Sequence, residues 1–182
     1  MKKLKIATIL IIFISFGWFA YTNLYPAQNL RRYSVYYAHN MEHKEGTHPE
    51  MAMALENIKA IRTPASRGIG YDYDGLAKVY NERNKNNGIV PWICATYAQK
   101  NTEYLYVSCD NNSYIFNADF TLKTVYNRDS ANLDPEKSDI DEEELYKEVY
   151  NNFGFLVEAN VNRKPLINMQ KEFNKKYYKR FN

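Results

Sequence analysis

Charge is missing from one stretch of this chain and balanced through the rest. From Ile6 to Tyr25 (IATILIIFISFGWFAYTNLY) no acidic or basic side chain occurs, and a helix of that length spans about 30 Å, the hydrocarbon thickness of a bilayer. Three of the 24 basic residues, Lys2, Lys3 and Lys5, precede the run; the remainder equal the 21 acidic residues in number, so the formal charge of +3 belongs to the N-terminal segment. A formally neutral domain lacks the basic field that nucleic acid requires, which excludes DNA and RNA as expected partners.

Cysteine is nearly absent, with only Cys94 and Cys109. Neither follows the apolar run closely, so bacterial-type lipid attachment there is not indicated. Glycine is sparse: Gly68 and Gly70, in ASRGIGYDYDG, lack the third glycine, the preceding strand and the Lys-Ser/Thr ending of a phosphate loop. A calcium loop opening on Asp72 and Asp74 would close on Arg83, where a bidentate Glu is required. No Ser or Cys sits in a nucleophile elbow, and no internal repeat is present. The sequence therefore offers no convincing catalytic set, and the leading expectation is a protein without enzyme activity or cofactor, with zinc or copper binding kept as the alternative.

What is present begins with a membrane signal. The lysines ahead of the apolar run hold the N-terminus inside, and Trp18, Tyr21 and Tyr25 suit an interfacial aromatic belt at its outer end. Cleavage as a signal peptide after Gly17 would leave Trp18, Phe19 and Ala20 at the new terminus, a poor site. The reading is a single-pass anchor over residues 1–27 in the cytoplasmic (inner) membrane. Residues 28–182 then form one periplasmic, extracytoplasmic domain, long enough for a single core.

Within that domain, Gln28 to Glu42 reads as a stalk helix packing Leu30, Ser34, Tyr37 and Met41 on one side. Thr47 and Glu50 suggest a capping box, followed by Met51, Ala54, Leu55, Ile58 and Ile61 as a buried stripe. Asp74 could cap a third helix with Leu76, Val79 and Tyr80 on one face, closed by Asn86, Asn87 and Gly88. The period then changes to two. Trp92 to Ala98, Glu103 to Cys109, Ser113 to Ala118 and Thr121 to Tyr126, joined by short turns, predict a four-stranded antiparallel meander. Asn127 to Ser138 reads as loop, Asp139 to Phe153 as a helix stopped by Gly154, and Phe155 to Val161 as a short strand. Pro165 can start a last, basic helix carrying Leu166, Met169, Phe173 and Tyr177. Acidic and basic helices would pack on one another, or the basic one would lie on an anionic surface. The fold class is α+β, with flanking helices packed on the meander. In outline it resembles a type IV pilin; the pilin glycine-ended leader and early glutamate have no counterpart, and no residue role carries over.

Three constellations could carry function. His39-Asn40-Met41-Glu42-His43 matches the H-x-x-E-H pattern of inverzincin proteases: on one helix His39 and His43 share a face as zinc ligands, with Glu42 polarising a water. The same stretch, with His48, Met51 and Met53, offers imidazole and thioether ligands of the kind that select copper. Both are secondary to a solvated stalk surface. Even turns centred on Asn101-Thr102 and Asn111-Asn112 set Cys94 opposite Cys109, close enough for a disulfide in an oxidising compartment. That register also gathers Tyr97, Tyr104 and Tyr106 on the face away from the apolar one, with Gln99, Ser108 and Asn117. In a chain with 17 tyrosines, such a face suits recognition as well as packing. The expected function is a small membrane-anchored binding or accessory module for a protein or cell-wall partner; the alternative is a metal-dependent hydrolase or metal-binding protein using His39, Glu42 and His43.

Overall fold

Pro49–Glu56 is the helix the rest of the domain surrounds. In the computed structural model Met51, Ala52, Met53, Ala54 and Leu55 are all buried, so the helix is covered on every side rather than along one stripe. The structure describes residues 2–73, 77–82, 92–99, 102–109, 112–127, 130–133 and 140–182; the side chains of 2–5, 22, 92–99, 102–104, 109, 127 and 130–133 lie outside that description. Six helices precede and follow an antiparallel sheet: α1 (Lys2–Leu24), α2 (Pro26–Arg32), α3 (Ser34–His39), α4 (Pro49–Glu56), α5 (Glu142–Val161) and α6 (Gln170–Phe181). The strands are β1 (Ile69–Asp72), β2 (Lys78–Asn81), β3 (Trp92–Gln99), β4 (Thr102–Cys109), β5 (Asn112–Phe116), β6 (Leu122–Asn127) and β7 (Ser130–Leu133). They pair in sequence order, each antiparallel to the next. The expected meander is thus extended at both ends and is not four-stranded.

Helix α4 packs against α3, α5, β3 and β4. The stretch expected to be a stalk is instead core: Val35, Tyr37 and Ala38 are fully buried, and Tyr33 and Met41 nearly so. The single stalk helix is broken at Tyr33 into α2 and α3. From the sheet, Val79, Leu105, Val107, Tyr114, Phe116, Leu122 and Val125 close the same core.

Four expectations are corrected. Val79 and Tyr80 lie on β2, paired with β1 and β3, not on a helix; Asp74, Leu76, Asn86, Asn87 and Gly88 fall outside the described residues. Ser130–Leu133 is a strand within what reads as loop. Helix α5 runs through Gly154 to Val161, absorbing the expected strand at Phe155, because Leu145, Val149, Phe153, Leu156, Val157 and Asn160 are all buried at helical spacing. Its cap is Asp141, whose carboxylate accepts from the Glu143 and Glu144 amides. Helix α6 starts at Gln170, leaving Leu166 exposed, and packs on α3 through Phe173 and Tyr37.

Sheet register differs from expectation by two residues in both central hairpins. Cys94 stands across from Val107, and Cys109 across from Asn112. The β3–β4 strands pair up to Gln99 and Thr102, and β4–β5 up to Cys109 and Asn112. A shift of two keeps every residue on its expected face while changing its partner. Cys94 and Cys109 are therefore not directly opposed but hold diagonal register positions, which in an antiparallel pair lie about 7–8 Å apart, beyond ordinary disulfide reach.

Helix α1 ends at Leu24, and Pro26 opens α2 in the first-turn position proline favours. Among the described residues no single helix is long and apolar enough to cross a membrane; Ile6–Tyr21 and Pro26–Arg32 meet that requirement only together, bent by 78°. The apolar side chains of α1 face outward on all sides, with Phe13 70% and Phe16 68% exposed.

Candidate functional site

The histidine cluster does not assemble as a helical metal pair. Helix α3 ends at His39, so His43 lies beyond the turn and the two do not share a helix face. His39 Nδ1 meets Glu50 Oε1 at 3.1 Å, not Glu42. His43 Nδ1 lies 3.2 Å from both Thr47 Oγ1 and the Lys44 carbonyl. Thr47 in turn donates to the Lys44 carbonyl rather than capping α4. Met51 and Met53 are fully buried in the core, away from any shared site with exposed His43. Among the described residues no three His, Cys, Asp or Glu side chains are grouped to hold a metal ion.

His48 forms a different arrangement. Its ring stacks on Tyr146 with centroids 3.4 Å apart and planes 8° from parallel, and Phe120 meets both rings edge-on. Phe120 sits at the β5–β6 turn with φ 71°, a left-handed backbone that a bulky residue rarely adopts and that costs on the order of 1–3 kcal/mol. Burial of its ring and stacking on Phe116 at 4.3 Å offset that cost. The turn is fastened from three sides. Asp119 Oδ1 accepts from the Thr121 amide and hydroxyl, the His48 amide donates to the Asp119 carbonyl, and Arg180 Nε donates to the Ala118 carbonyl at 2.6 Å. Arg180 also pairs with Glu56 at 2.6 Å.

Beside this stack lies a cleft of about 360 Å³ with Glu45, Glu142 and Glu143 in its lining. Burial lowers the His48 pKa, which keeps the ring neutral at pH 7, and burial together with Glu50 raises that of the Tyr146 phenol. The cleft thus sets an apolar aromatic wall beside carboxylates.

The expected tyrosine face is the side of the sheet away from α4. Register places Tyr97 opposite Tyr104, and Tyr106 between Ala95 and Ile115; the side chains of Tyr97 and Tyr104 lie outside the described residues. Half-buried Tyr106 hydrogen-bonds through its hydroxyl to Ser113 Oγ at 2.8 Å, and Ser113 to Ser108 at 3.5 Å. Tyr126, opposite Ser113, is exposed. A row of hydroxyls across three strands gives this face donors and acceptors at fixed spacing.

A third feature was not signalled by any local motif. Where α1 meets the domain, Asn23 accepts from the Tyr33 hydroxyl, and Asn29 donates to the Asn23 and Ile167 carbonyls while accepting from Tyr37 at 2.6 Å. These buried bonds fasten the end of α1 to α2, α3 and the segment before α6. Beside that joint opens a cleft of about 380 Å³ lined by Trp18, Tyr21, Gln28, Arg32, Lys59, Ala60, Ile61, Arg62 and Arg163. Compared with known proteins, the chain matches no family model, no curated protein and no solved structure, so its function rests on its own geometry.

Proposed function

We propose that this protein is a membrane-anchored binding module, with α1 embedded in a bilayer and the α+β domain presented outside the cytoplasm to a protein or cell-wall partner. The observation that carries this reading is the outward apolar surface of α1, exposed from Ile6 to Phe19 on every side of the helix. In water such a surface is an aggregation hazard; in lipid it is the ordinary exterior of a helix, whose backbone hydrogen bonds are satisfied within it. The buried hydrogen bonds at Asn23, Asn29, Tyr33 and Tyr37 support the reading, because they couple the anchor's end to the domain instead of leaving a free tether. The sheet face carrying Tyr106, Ser108, Ser113 and Tyr126 supplies the polar and aromatic surface for the partner.

The test is capture of cross-linked partners from intact envelopes by the natural protein and by a variant carrying Tyr106→Ser and Tyr126→Ser. Loss of a specific adduct with unchanged folding supports the module. Identical adduct patterns in both proteins would remove the sheet face from the account.

A further inference from the structure

We infer that the cleft at the joint between α1 and the domain is a binding site for the phosphate of an anionic phospholipid headgroup, an inference that rests on the membrane-anchored reading. Arg32, Arg62 and Arg163 converge there with Lys59, and the cleft has no acidic residue in its lining. Among the described residues no carboxylate lies within ion-pair distance of Arg32, Arg62 or Arg163. The three guanidinium groups of Arg32, Arg62 and Arg163 repel one another, and each raises the affinity of the cleft for an anion.

The cations are held in place rather than loose. The Arg163 guanidinium lies 5.1 Å and that of Arg32 5.9 Å from the Tyr33 ring centroid, so one buried tyrosine seats both. Arg62 is fixed through its backbone: its amide donates to Asn160 Oδ1 at 2.9 Å, and its carbonyl accepts from Asn160 Nδ2 at 2.8 Å. Burial and the neighbouring Arg32 and Arg62 lower the Arg163 pKa, the electrostatic mark of crowded positive charge.

The other wall selects lipid over a soluble phosphoester. Trp18 and Tyr21 belong to α1 and sit where its apolar surface meets the domain, with Tyr21 accepting from Gln28 Nε2 at 3.0 Å. Aromatic side chains of that kind mark headgroup depth when the helix is in a bilayer. The cleft then opens at the level of the phosphates, and guanidinium groups match phosphate oxygens in a bidentate geometry.

Full-length protein in neutral detergent would be titrated with dihexanoyl phosphatidylglycerol, dihexanoyl phosphatidylcholine or inorganic phosphate, reading amide exchange at residues 59–62 and the melting temperature. The expected result is protection by the anionic lipid at concentrations roughly tenfold below the zwitterionic one, and weaker protection by phosphate. Arg62→Gln, an exposed position, and Arg163→Gln should each weaken that protection about fivefold, with Arg62→Gln leaving the melting temperature unchanged. Equal protection by both lipids, or affinity indifferent to Arg62→Gln, overturns the site. Phosphate as effective as the lipid overturns the lipid as occupant. Retention of the protein in alkaline-washed membranes without any lipid-specific protection defeats this inference alone. Extraction from the membrane with protection intact defeats the anchor and leaves the anion site standing.

Discussion

Helices α1 and α4 carry apolar residues on every side, and they have opposite surroundings. The five residues Met51 to Leu55 are enclosed by α3, α5 and the sheet, whereas the apolar side chains from Ile6 to Phe19 touch little of the protein. Composition alone does not separate them; neighbours do. A helix without a polar face needs cover all round, and the domain supplies it for one helix and not for the other. Under the proposed anchoring a bilayer would supply that cover, with α1 and the bent α2 reaching together the length and apolar character that α1 alone does not.

The contrast can be sharpened by making the same cut in both regions. Phe153, fully buried on the core face of α5, should cost about 3–5 kcal/mol on change to Ala. Phe13→Ala on α1 should change the unfolding free energy of the detergent-solubilised domain by less than about 0.5 kcal/mol. Equilibrium urea unfolding of the two variants reads both numbers, and comparable losses would place α1 inside the folding unit.

A smaller effect is expected at Gly154, inside α5. A Cβ there would lie 2.6 Å from a ring carbon of Tyr150, so the ring must move. Gly154→Ala should destabilise by about 1 kcal/mol after its helix-propensity gain is offset. In a Tyr150→Ala background the same change should stabilise, and a double-mutant cycle in urea checks the reversal.

The His48 stack gives a pH signature. Burial holds the folded pKa of His48 below its unfolded value near 6.5, with Glu50 opposing and His43 adding to the shift. The unfolded chain therefore binds the proton more readily, and stability falls as pH drops below about 6.5 until the folded pKa is reached. Compared with the natural protein, His48→Phe should keep the stack on Tyr146 and flatten the melting-temperature profile between pH 7 and 5.

Much of this organisation was legible in the sequence. The stripe through Met51, Leu55 and Ile58 and the four central strands follow from periodicity, because burial on one or all faces leaves a direct pattern. Misreadings came where a local signal was outweighed by contacts distant in sequence. Gly154 reads as a stop, yet Tyr150 occupies the space a side chain would need. The short strands β1, β2 and β7 carry too few residues for a period to show. His39 and His43 are four apart, but Asn40 ends the helix between them. The arginine cleft joins residues from 32 to 163 and leaves no trace in any window of the chain.

The cysteines distinguish the two registers at no energetic cost. With Cys94 across from Val107, unreduced protein should contain two free thiols by mass spectrometry. A Cys94–Cys109 bridge would instead return the sheet to the register that opposes them.

The account depends most on what covers α1, and alkaline extraction of membranes from cells making the full-length protein addresses that directly. The protein is expected to stay in the pellet with its C-terminal domain cleaved by protease added from outside. Release of the intact chain into the supernatant, with Ile6 to Phe19 still attached, would contradict it.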